Sequence, residues 1–504
     1  MNLTQAEFLK LTSKGNVIPL YQEMPDDLET PVSAYYKLSA KSAYSFLLES
    51  VEGEEKIARY SFIARDPELI FTSKGHQASI LRLCQGKHKP ETIKFKGSPL
   101  SVVRELMKDY QPVQVPGLPR FYGGMVGYLS YDCVRFFERL PLKTKDDLNL
   151  PDICMAQARH LVAFDHRHHA IKVISCVFIE KGDGRLAKIK KYKEAQKIID
   201  GLMADLRKPL SLSASSKGTK ALKVTSDCTK DQYENIVKKG KEHIKVGDIF
   251  QIVLSQRFKM NITVDAFEIY RSLRRLNPSP YMFYLNFNGL QLVGASPELL
   301  VRVENGLVET RPIAGTRPRG KDEAEDEALK KSLLSDPKEK AEHIMLVDLG
   351  RNDLGRVCQK GSVHLSEFMG VEKYSHVMHI VSNVQGRLRE DMDALDVLEA
   401  AFPAGTVSGA PKIRAMEIIE DLETHKRGPY AGAVGILSFS KNLDTCITIR
   451  TIVVHKKRAY VQAGAGIVAD SVPAVEYTET VNKAKAQIKA IEKAHEAFGM
   501  RERK

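Results

Sequence analysis

Two Asn-Gly pairs in the middle of the chain each separate two short, mainly apolar runs. Asn288-Gly289 lies between residues 281–287 and 290–295, and Asn305-Gly306 lies between residues 299–303 and 307–313. Asn-Gly suits the two-residue turn that joins antiparallel strands, because both central residues of that turn have positive φ. The sequence therefore predicts an antiparallel meander, followed by helices from about residue 323.

The chain on either side of the meander contains further strands and two clear helices. Residues 32–179 are short alternating runs separated by Gly, Asp and Asn, which indicates strands. Apolar residues recur at helical spacing over 185–206 and 230–245, and a strand is predicted at 249–258. With 504 residues, the chain exceeds the roughly 250–300 that one core holds. We predict an amino-terminal subdomain (15–207), a Ser-, Lys- and Gly-rich linker (208–226) and a carboxy-terminal domain (227–495).

The composition restricts the class of protein. The formal charge is +13, but most basic residues are spread out, so we expect no nucleic acid partner and note that the charge suits an anionic substrate. No run approaches the ~20 apolar residues of a membrane span. Residues 1–10 lack a basic segment followed by an apolar core, and seven scattered cysteines lack a C-x-x-C pair. These features predict a cytoplasmic protein with reduced thiols and no membrane contact.

Two E-x-x-E pairs stand near the starts of two predicted helices, Glu339 with Glu342 and Glu476 with Glu479. At this spacing both carboxylates project from nearly one face of a helix. Two such faces opposite each other would offer the oxygen ligands that Mg²⁺ prefers. Glu339 has an alternative role as part of a capping box begun by Asp336. From spacing alone, the alternative for either pair is that it faces solvent.

Two further features suit a bound anion. Gly464-Ala465-Gly466 follows the apolar run 459–463, and a glycine turn at this place would direct backbone N–H groups at a negative charge. Arg450 ends the strand-like run 446–450, where it would hold a carboxylate with two hydrogen bonds. The alternatives are a tight turn without a ligand and a surface ion pair.

Five longer motifs together resemble the chorismate-utilising enzymes. They are GASPE (294–298), RPIAGTRPRG (311–320), EHIMLVDLGRNDLG (342–355), PAGTVSGAPK (403–412) and QAGAG (462–466). The resemblance is dense from about residue 230 to 485 and sparser before it. It implies an α+β fold, a large antiparallel β-sandwich surrounded by helices, with an intertwined amino-terminal regulatory subdomain.

The resemblance also implies roles for individual residues. Glu298 matches the general acid that protonates the leaving hydroxyl, and His379 matches the histidine of pyruvate elimination. Glu342 and Glu479 match ligands of Mg²⁺, with Glu339 and Glu476 reaching the metal directly or through water. The positions that match substrate contacts are Gly315, Thr316, Thr406, Tyr430, Arg450, Gly464, Ala465, Gly466 and Lys483.

Two positions distinguish the branches of the family. Water-using members place a lysine where this chain has Gln251, and glutamine cannot act as a base toward water. Ammonia is already nucleophilic when neutral, so amination is favoured. Aminodeoxychorismate synthases often have lysine where this chain has Ala314. The resemblance therefore implies that chorismate and ammonia give anthranilate and pyruvate.

Regulation and a partner are also implied by the resemblance. The segments LLES and NPSPYM match the two halves of the family's tryptophan pocket, which gives Glu49, Ser50, Pro280, Tyr281 and Met282 as inhibitor contacts. No glutaminase region follows the family motifs, so we expect a separate glutamine amidotransferase subunit and a hetero-oligomer. The alternatives are an aminodeoxychorismate synthase and a non-catalytic tryptophan sensor.

Overall fold

The computed structural model describes residues 1–39, 41–50, 59–83, 90–210, 222–374 and 377–498. Its helices are α1 (Gln5–Leu11), α2 (Pro31–Ser39), α3 (Leu100–Met107), α4 (Arg185–Leu206), α5 (Lys230–Lys245), α6 (Ala266–Leu276), α7 (Glu323–Ser335), α8 (Pro337–Gly355), α9 (Ala394–Ala401), α10 (Lys412–Leu422) and α11 (Pro473–Phe498), with 3₁₀ helices at Tyr131–Phe136 and Gly405–Val407. Its strands are β1 (Val17–Pro25), β2 (Tyr44–Glu49), β3 (Tyr60–Arg65), β4 (Leu69–Lys74), β5 (Gln77–Arg82), β6 (Glu91–Lys94), β7 (Gly124–Leu129), β8 (Ile153–Ala158), β9 (His160–Asp165), β10 (Ala170–Phe178), β11 (Thr225–Ser226), β12 (Gln251–Asn261), β13 (Tyr281–Phe287), β14 (Leu290–Ser296), β15 (Leu299–Glu304), β16 (Leu307–Thr310), β17 (Ile313–Pro318), β18 (His364–Lys373), β19 (Val377–Arg387), β20 (Gly409–Ala410), β21 (Ala433–Ser438), β22 (Leu443–Ile447), β23 (Thr451–His455) and β24 (Arg458–Ile467).

In the described ranges these strands form two antiparallel sheets of twelve strands each. Sheet A has the order β1-β10-β9-β3-β2-β13-β14-β23-β24-β12-β11, with β20 beside β12. Sheet B has the order β17-β19-β16-β15-β22-β21-β7-β8-β4-β5-β6, with β18 beside β19. Each sheet therefore joins strands from both halves of the chain, at β2–β13 in sheet A and at β7–β21 in sheet B. The predicted α+β sandwich with an intertwined amino-terminal half is confirmed.

The cores lie between the sheets and on their outer faces. Alternate residues of a strand point to opposite faces of its sheet. Phe283 of β13 accordingly packs between the sheets with Tyr128 and Val434 of sheet B, whereas Tyr284 packs outward among the helices that cover sheet A. A separate apolar cluster packs helices such as α9 on the outer face of sheet B. The architecture is therefore four layers in the order helices, sheet A, sheet B and helices. Full burial of each Phe-sized side chain stabilises the fold by about 1.5–3 kcal/mol.

Several local predictions are confirmed, since α4 and α5 have the predicted bounds. Both Asn-Gly turns join paired strands, with φ of 46° and 100° at Asn288 and Gly289 and of 51° and 77° at Asn305 and Gly306. Residues 211–221 of the predicted linker lie outside the described residues.

Two local predictions are wrong. Residues 464–466 do not form a turn, because β24 continues to Ile467 and pairs with β12 throughout. The strand predicted to end at Arg450 ends at Ile447, because the chain crosses there from sheet B to sheet A, and Arg450 takes a φ of 51°.

The cysteines of the described ranges are unpaired, while Cys84 lies outside those ranges. No helix within the described ranges is long and apolar enough to span a bilayer.

Candidate active site

Two crossings between the sheets place the central charged residues. Glu298 lies where the chain passes from β14 in sheet A to β15 in sheet B, and Arg450 lies where it returns from β22 to β23. The crossings are bonded together, because Ile447 N–H donates to Glu298 O at 3.0 Å and Ala295 N–H donates to Arg450 O at 3.2 Å. A carboxyl group and a guanidinium are therefore fixed side by side between two rigid sheets.

The carboxyl group of Glu298 is suited to hold a proton. Burial raises its pKa, and this outweighs the opposite effects of Thr406, Arg450 and Lys483. The hydroxyl of Thr406 donates to Glu298 Oε2 at 2.9 Å. A protonated, buried glutamate is the group that a general acid requires.

Arg450 and Lys483 line a cavity of about 650 Å³ together with Glu479. Arg450 donates to the backbone carbonyl of Lys483 at 3.0 Å, and Lys483 Nζ donates to the carbonyl of Gly464 at 3.1 Å. This volume lies in the range of small-molecule sites. Two cations in one cavity suit a substrate with two carboxylates.

Small residues of β24 make room for polar groups beside this cavity. A Cβ atom at Gly464 would lie 2.7 Å from the Tyr430 hydroxyl, and one at Gly466 would lie 2.8 Å from Gln251 Nε2. Burial raises the pKa of Tyr430 to about 12, so its hydroxyl stays protonated. The glycines thus allow the side chains of Tyr430 and Gln251 to approach the strand closely. They do not form the anion-binding turn that the sequence predicted.

His379 on β19 lies opposite Thr316 on β17. Its Nδ1 lies 2.9 Å from the carbonyl oxygen of Gly315 and 3.1 Å from the Thr316 hydroxyl. A carbonyl oxygen only accepts, so Nδ1 carries the proton and Nε2 is the basic nitrogen. Burial lowers the pKa of His379, which keeps the ring neutral and able to accept a proton.

Position 315 also requires glycine. It has a φ of 69°, and a Cβ atom there would lie 3.1 Å from Glu339 Oε2. The glycine lets β17 approach the start of α8, which carries the first acidic pair.

Gln251 is the first residue of β12 and is held in one orientation. Its Nε2 donates to Glu342 Oε1 at 3.1 Å. Because a carboxylate oxygen accepts, this bond fixes which end of the amide is the NH₂ group. Gln251 Oε1 is buried and has no hydrogen-bond partner among the described residues.

The four glutamates of the E-x-x-E pairs differ in their surroundings. Burial raises the pKa of Glu342 and of Glu476, and a neighbouring carboxylate, Glu339 or Glu479, adds to each effect. Glu476 Oε2 is buried without a partner in the described part of the chain. Glu339 instead bonds to Arg317 at 3.0 Å, and Glu479 bonds to Lys483 at 2.5 Å.

These donors fit Mg²⁺ in chemical type. Carboxylate oxygens are its usual protein ligands, one or two are enough, and an orphaned oxygen and raised carboxyl pKa values are features that a cation would relieve. The fit is incomplete, since the described ranges contain no ready cluster of three acidic, His or Cys side chains.

Asp336 caps α8 by accepting from Glu339 N–H at 3.3 Å, yet the Glu339 side chain turns to Arg317, so the capping-box alternative is wrong in its second half.

A buried pair of residues that sequence reasoning missed, Arg427 and Glu423, lies next to Tyr430. Arg427 donates to the carbonyls of Val407 and Val253, each at 2.7 Å, and to Glu423 at 2.6 Å. Its guanidinium lies 5.7 Å from the centre of the Tyr430 ring. The pair ties β12, the Thr406 segment and Tyr430 to one another. An isolated arginine before Gly428 has no pattern that would have revealed this.

The segments predicted to bind tryptophan are adjacent strands of sheet A. Glu49 of β2 pairs with Met282 of β13, and Ser50 and Tyr281 follow at the same end. Glu49 faces α6, where Arg274 Nε donates to it at 2.9 Å and Tyr270 also bonds to it. The side-chain oxygen of Ser50 is buried without a partner among the described residues. The structure thus brings the two segments together, with Tyr281 opposite Ser296 at the end of β14.

The crossings between the sheets hold a buried acid and an arginine, β19 supplies a neutral histidine, and α8 and α11 supply a lysine and paired carboxylates. These groups define an enzyme that acts on a small anionic substrate. The chain belongs to the family described as chorismate binding enzyme, whose model matches residues 43–489.

Known relatives agree with this assignment. The chain is 49% identical to anthranilate synthase component 1 of Aquifex aeolicus over 99% of both chains. It is 46% identical to the protein of that name from Pseudomonas aeruginosa, over 98% of this chain and 100% of that one. The solved anthranilate synthase component I of Streptococcus pneumoniae has a TM-score of 0.74 at 38% identity, covering 92% of this chain and 98% of that one. The menaquinone-specific isochorismate synthase of Escherichia coli shares the fold, with a TM-score of 0.70 at 19% identity over 97% of this chain and 98% of that one.

Proposed function

We propose that the protein replaces the ring hydroxyl of chorismate with ammonia and then expels pyruvate, which gives anthranilate. The observation that carries this proposal is the fixed amide of Gln251. Its NH₂ group is engaged by Glu342, so the buried oxygen Oε1 is the end left to accept a hydrogen bond. Such an acceptor orients the N–H groups of ammonia but cannot remove a proton from water.

The first step requires a proton for the leaving hydroxyl. Glu298 is buried, its raised pKa favours the protonated form, and Thr406 holds it in place. Arg450 and Lys483 lie near enough to influence its pKa, so they would hold the substrate carboxylates beside the acid. The hydroxyl leaves as water while ammonia adds to the ring.

The second step removes a ring proton as the enolpyruvyl group departs. His379 is neutral and presents Nε2, because Nδ1 donates to the carbonyl of Gly315. Nε2 therefore accepts the ring proton, the ring becomes aromatic, and the departing enolpyruvate takes up a proton to become pyruvate.

The carboxylates of α8 and α11 would hold Mg²⁺. Among the described residues Glu342 and Glu476 form no ion pair, while Glu339 and Glu479 would exchange theirs, with Arg317 and Lys483, for the metal. When bound, the metal neutralises a substrate carboxylate and fixes its orientation.

We extend the proposal to a partner and to regulation. The relatives are named component 1, which implies a second component, and we propose a glutamine amidotransferase subunit that supplies ammonia within a hetero-oligomer in the cytoplasm. We also propose L-tryptophan as a feedback inhibitor that binds beside Ser50 and Tyr281. The unpartnered hydroxyl of Ser50 supports this site.

The test is an assay of the purified chain with chorismate, Mg²⁺ and ammonium at alkaline pH, with and without tryptophan. Fluorescence and mass identify the product. Anthranilate and pyruvate, suppressed by tryptophan, support the whole proposal. Aminodeoxychorismate would assign the enzyme to the other aminating branch, against the evidence of Ala314, and binding of tryptophan without any turnover would indicate a sensor.

A further inference from the structure

Glu298 and Thr406 also line a second, smaller cavity. It has a volume of about 40 Å³ and shares no lining residue with the cavity that contains Arg450 and Lys483. Apolar side chains such as Leu346 and Leu349 form much of its wall. A buried acid thus has a cavity beside it that is distinct from the one lined by Arg450 and Lys483.

The proposed amination needs a proton supply to Glu298, and this inference rests on that proposed function. Each turnover moves a proton from Glu298 to the leaving hydroxyl. The incoming ammonia becomes an ammonium group and releases its surplus proton to solvent, because the amide of Gln251 cannot take it. Among the described side chains, Thr406 alone bonds to the Glu298 carboxyl group. A group that reaches Glu298 from another side would return the proton without waiting for the substrate cavity to empty.

A second carboxyl group lines the same small cavity. Asp353 of α8 contributes to its wall, and Lys412 Nζ donates to Asp353 Oδ2 at 2.8 Å. The Asp353 side chain remains 15% exposed, so it exchanges protons with solvent. Burial raises the pKa of Asp353, which favours the protonated form that a proton donor needs. Both residues belong to the motifs at 342–355 and 403–412, yet the proposed chemistry gives neither a role.

The cavity is suited to a water molecule. It exceeds the roughly 10–15 Å³ of probe-occupied volume that one water requires. Five residues with polar side chains, Glu298, Thr406, Thr310, Arg311 and Asp353, contribute to its wall, and a buried water uses two to four hydrogen-bond partners.

We propose that a water in this cavity returns a proton from Asp353 to Glu298 after each turnover. The Asp353 carboxyl group gives its proton to the water, and the water gives one of its own to the Glu298 carboxylate. Solvent then reprotonates Asp353. The cycle consumes one solvent proton, which balances the proton lost to the leaving hydroxyl, and it needs no other reactant.

Asp353→Asn tests the proposal in the full-length chain, because asparagine keeps the size and accepts from Lys412 but relays no proton. Rapid-mixing assays with chorismate, ammonium and Mg²⁺ separate the first turnover from the later ones. We expect a first turnover close to the wild-type rate, since Glu298 begins protonated, and a steady state slowed on the order of tenfold or more. Asp353→Glu should restore most of the steady rate.

Asp348→Asn is the matched control, because this carboxylate lies on the same helix but its side chain is 59% exposed. It should leave both phases unchanged. Leu349→Phe reduces the cavity without altering either carboxyl group, so it should reproduce the slowed steady state even if Asp353→Asn folds poorly.

Two results would overturn the relay: both variants keep the wild-type rates in both phases, or the first turnover slows as much as the steady state. The second pattern would mean that Asp353 merely shapes the site. If the wild-type chain itself does not aminate chorismate, the proposed function fails first, and that outcome is distinct from an active wild type with an unaffected Asp353→Asn.

Discussion

Replacing Glu298 by glutamine separates proton donation from substrate binding. Glutamine has nearly the same size, and its carbonyl oxygen still accepts from the Thr406 hydroxyl, whose bond to Glu298 is 2.9 Å. The amide cannot release a proton to the leaving hydroxyl. The cations of Arg450 and Lys483 are untouched, so Mg²⁺-dependent binding of chorismate should stay close to the wild-type level.

The size of the effect follows from the role assigned to the acid. General acid catalysis contributes about 10²–10⁴-fold, which corresponds to about 3–5 kcal/mol in the activation barrier. We expect kcat of Glu298→Gln to fall by this factor while the dissociation constant of chorismate changes little. Steady-state kinetics and equilibrium dialysis measure the two quantities.

Stability gives a second, independent signature. Burial raises the pKa of Glu298 in the folded state, so the folded protein binds this proton more tightly than the unfolded chain does. The free energy of unfolding of the wild type therefore falls as pH rises from the ordinary glutamate pKa through the raised value. Glutamine does not titrate, so Glu298→Gln should gain stability relative to the wild type across that window and keep the gain above it.

The matched control is Glu304→Gln at the end of β15, which should leave kcat unchanged. Wild-type turnover in Glu298→Gln would refute the assignment of the acid. Parallel loss of turnover and chorismate affinity would show instead that the carboxyl group serves binding.

Four further predictions follow from the site. Gln251→Lys should lower ammonia-dependent turnover and yield some of the chorismate isomer formed when water replaces the ring hydroxyl, which chromatography separates because its mass equals that of chorismate. Unchanged amination would show that Gln251 does not act on the nucleophile. His379→Gln should slow pyruvate release more than amination, so that an aminated compound retaining the enolpyruvyl group accumulates on chromatograms; equal slowing of both steps contradicts the assignment. Glu342→Gln and Glu476→Gln should each raise the Mg²⁺ concentration for half-maximal rate, and chelation should stop wild-type turnover reversibly, whereas an unshifted metal dependence argues against these ligands. Ser50→Phe should leave basal turnover intact and abolish inhibition by tryptophan, and retained inhibition would place the inhibitor elsewhere.

Local structure was predictable wherever a pattern lies within one element. Helices α4 and α5 end where the apolar periodicity ends, and the Asn-Gly turns have the positive φ values that this dipeptide favours. The predictions of a strand that ends at 450 and of a turn at 464–466 failed because the deciding contacts are remote. Arg450 stands at a crossing between sheets, and Gly464 is small because Tyr430 needs the space.

The candidate site was predictable in its residues but only in part in its arrangement. Motif resemblance identified Glu298, His379 and Gln251. Spacing alone would have treated the four glutamates alike, whereas the structure leaves Glu476 Oε2 unpaired and pairs Glu479 with Lys483. The Arg427–Glu423 pair was missed because its partners are mainly backbone carbonyls, which every residue carries.

Because each sheet contains strands from both halves of the chain, neither sheet can be completed early in translation. Glu49 pairs with Met282 and Gly127 pairs with Gly435, so each sheet remains open at its seam until the second half of the chain is made. At translation rates of about 5–20 residues per second, the strand β2 waits roughly 10–50 s for its neighbour β13. During that interval its unpaired backbone groups form an edge that other chains can join. The protein therefore depends most on protection from aggregation while only its amino-terminal half has been synthesised.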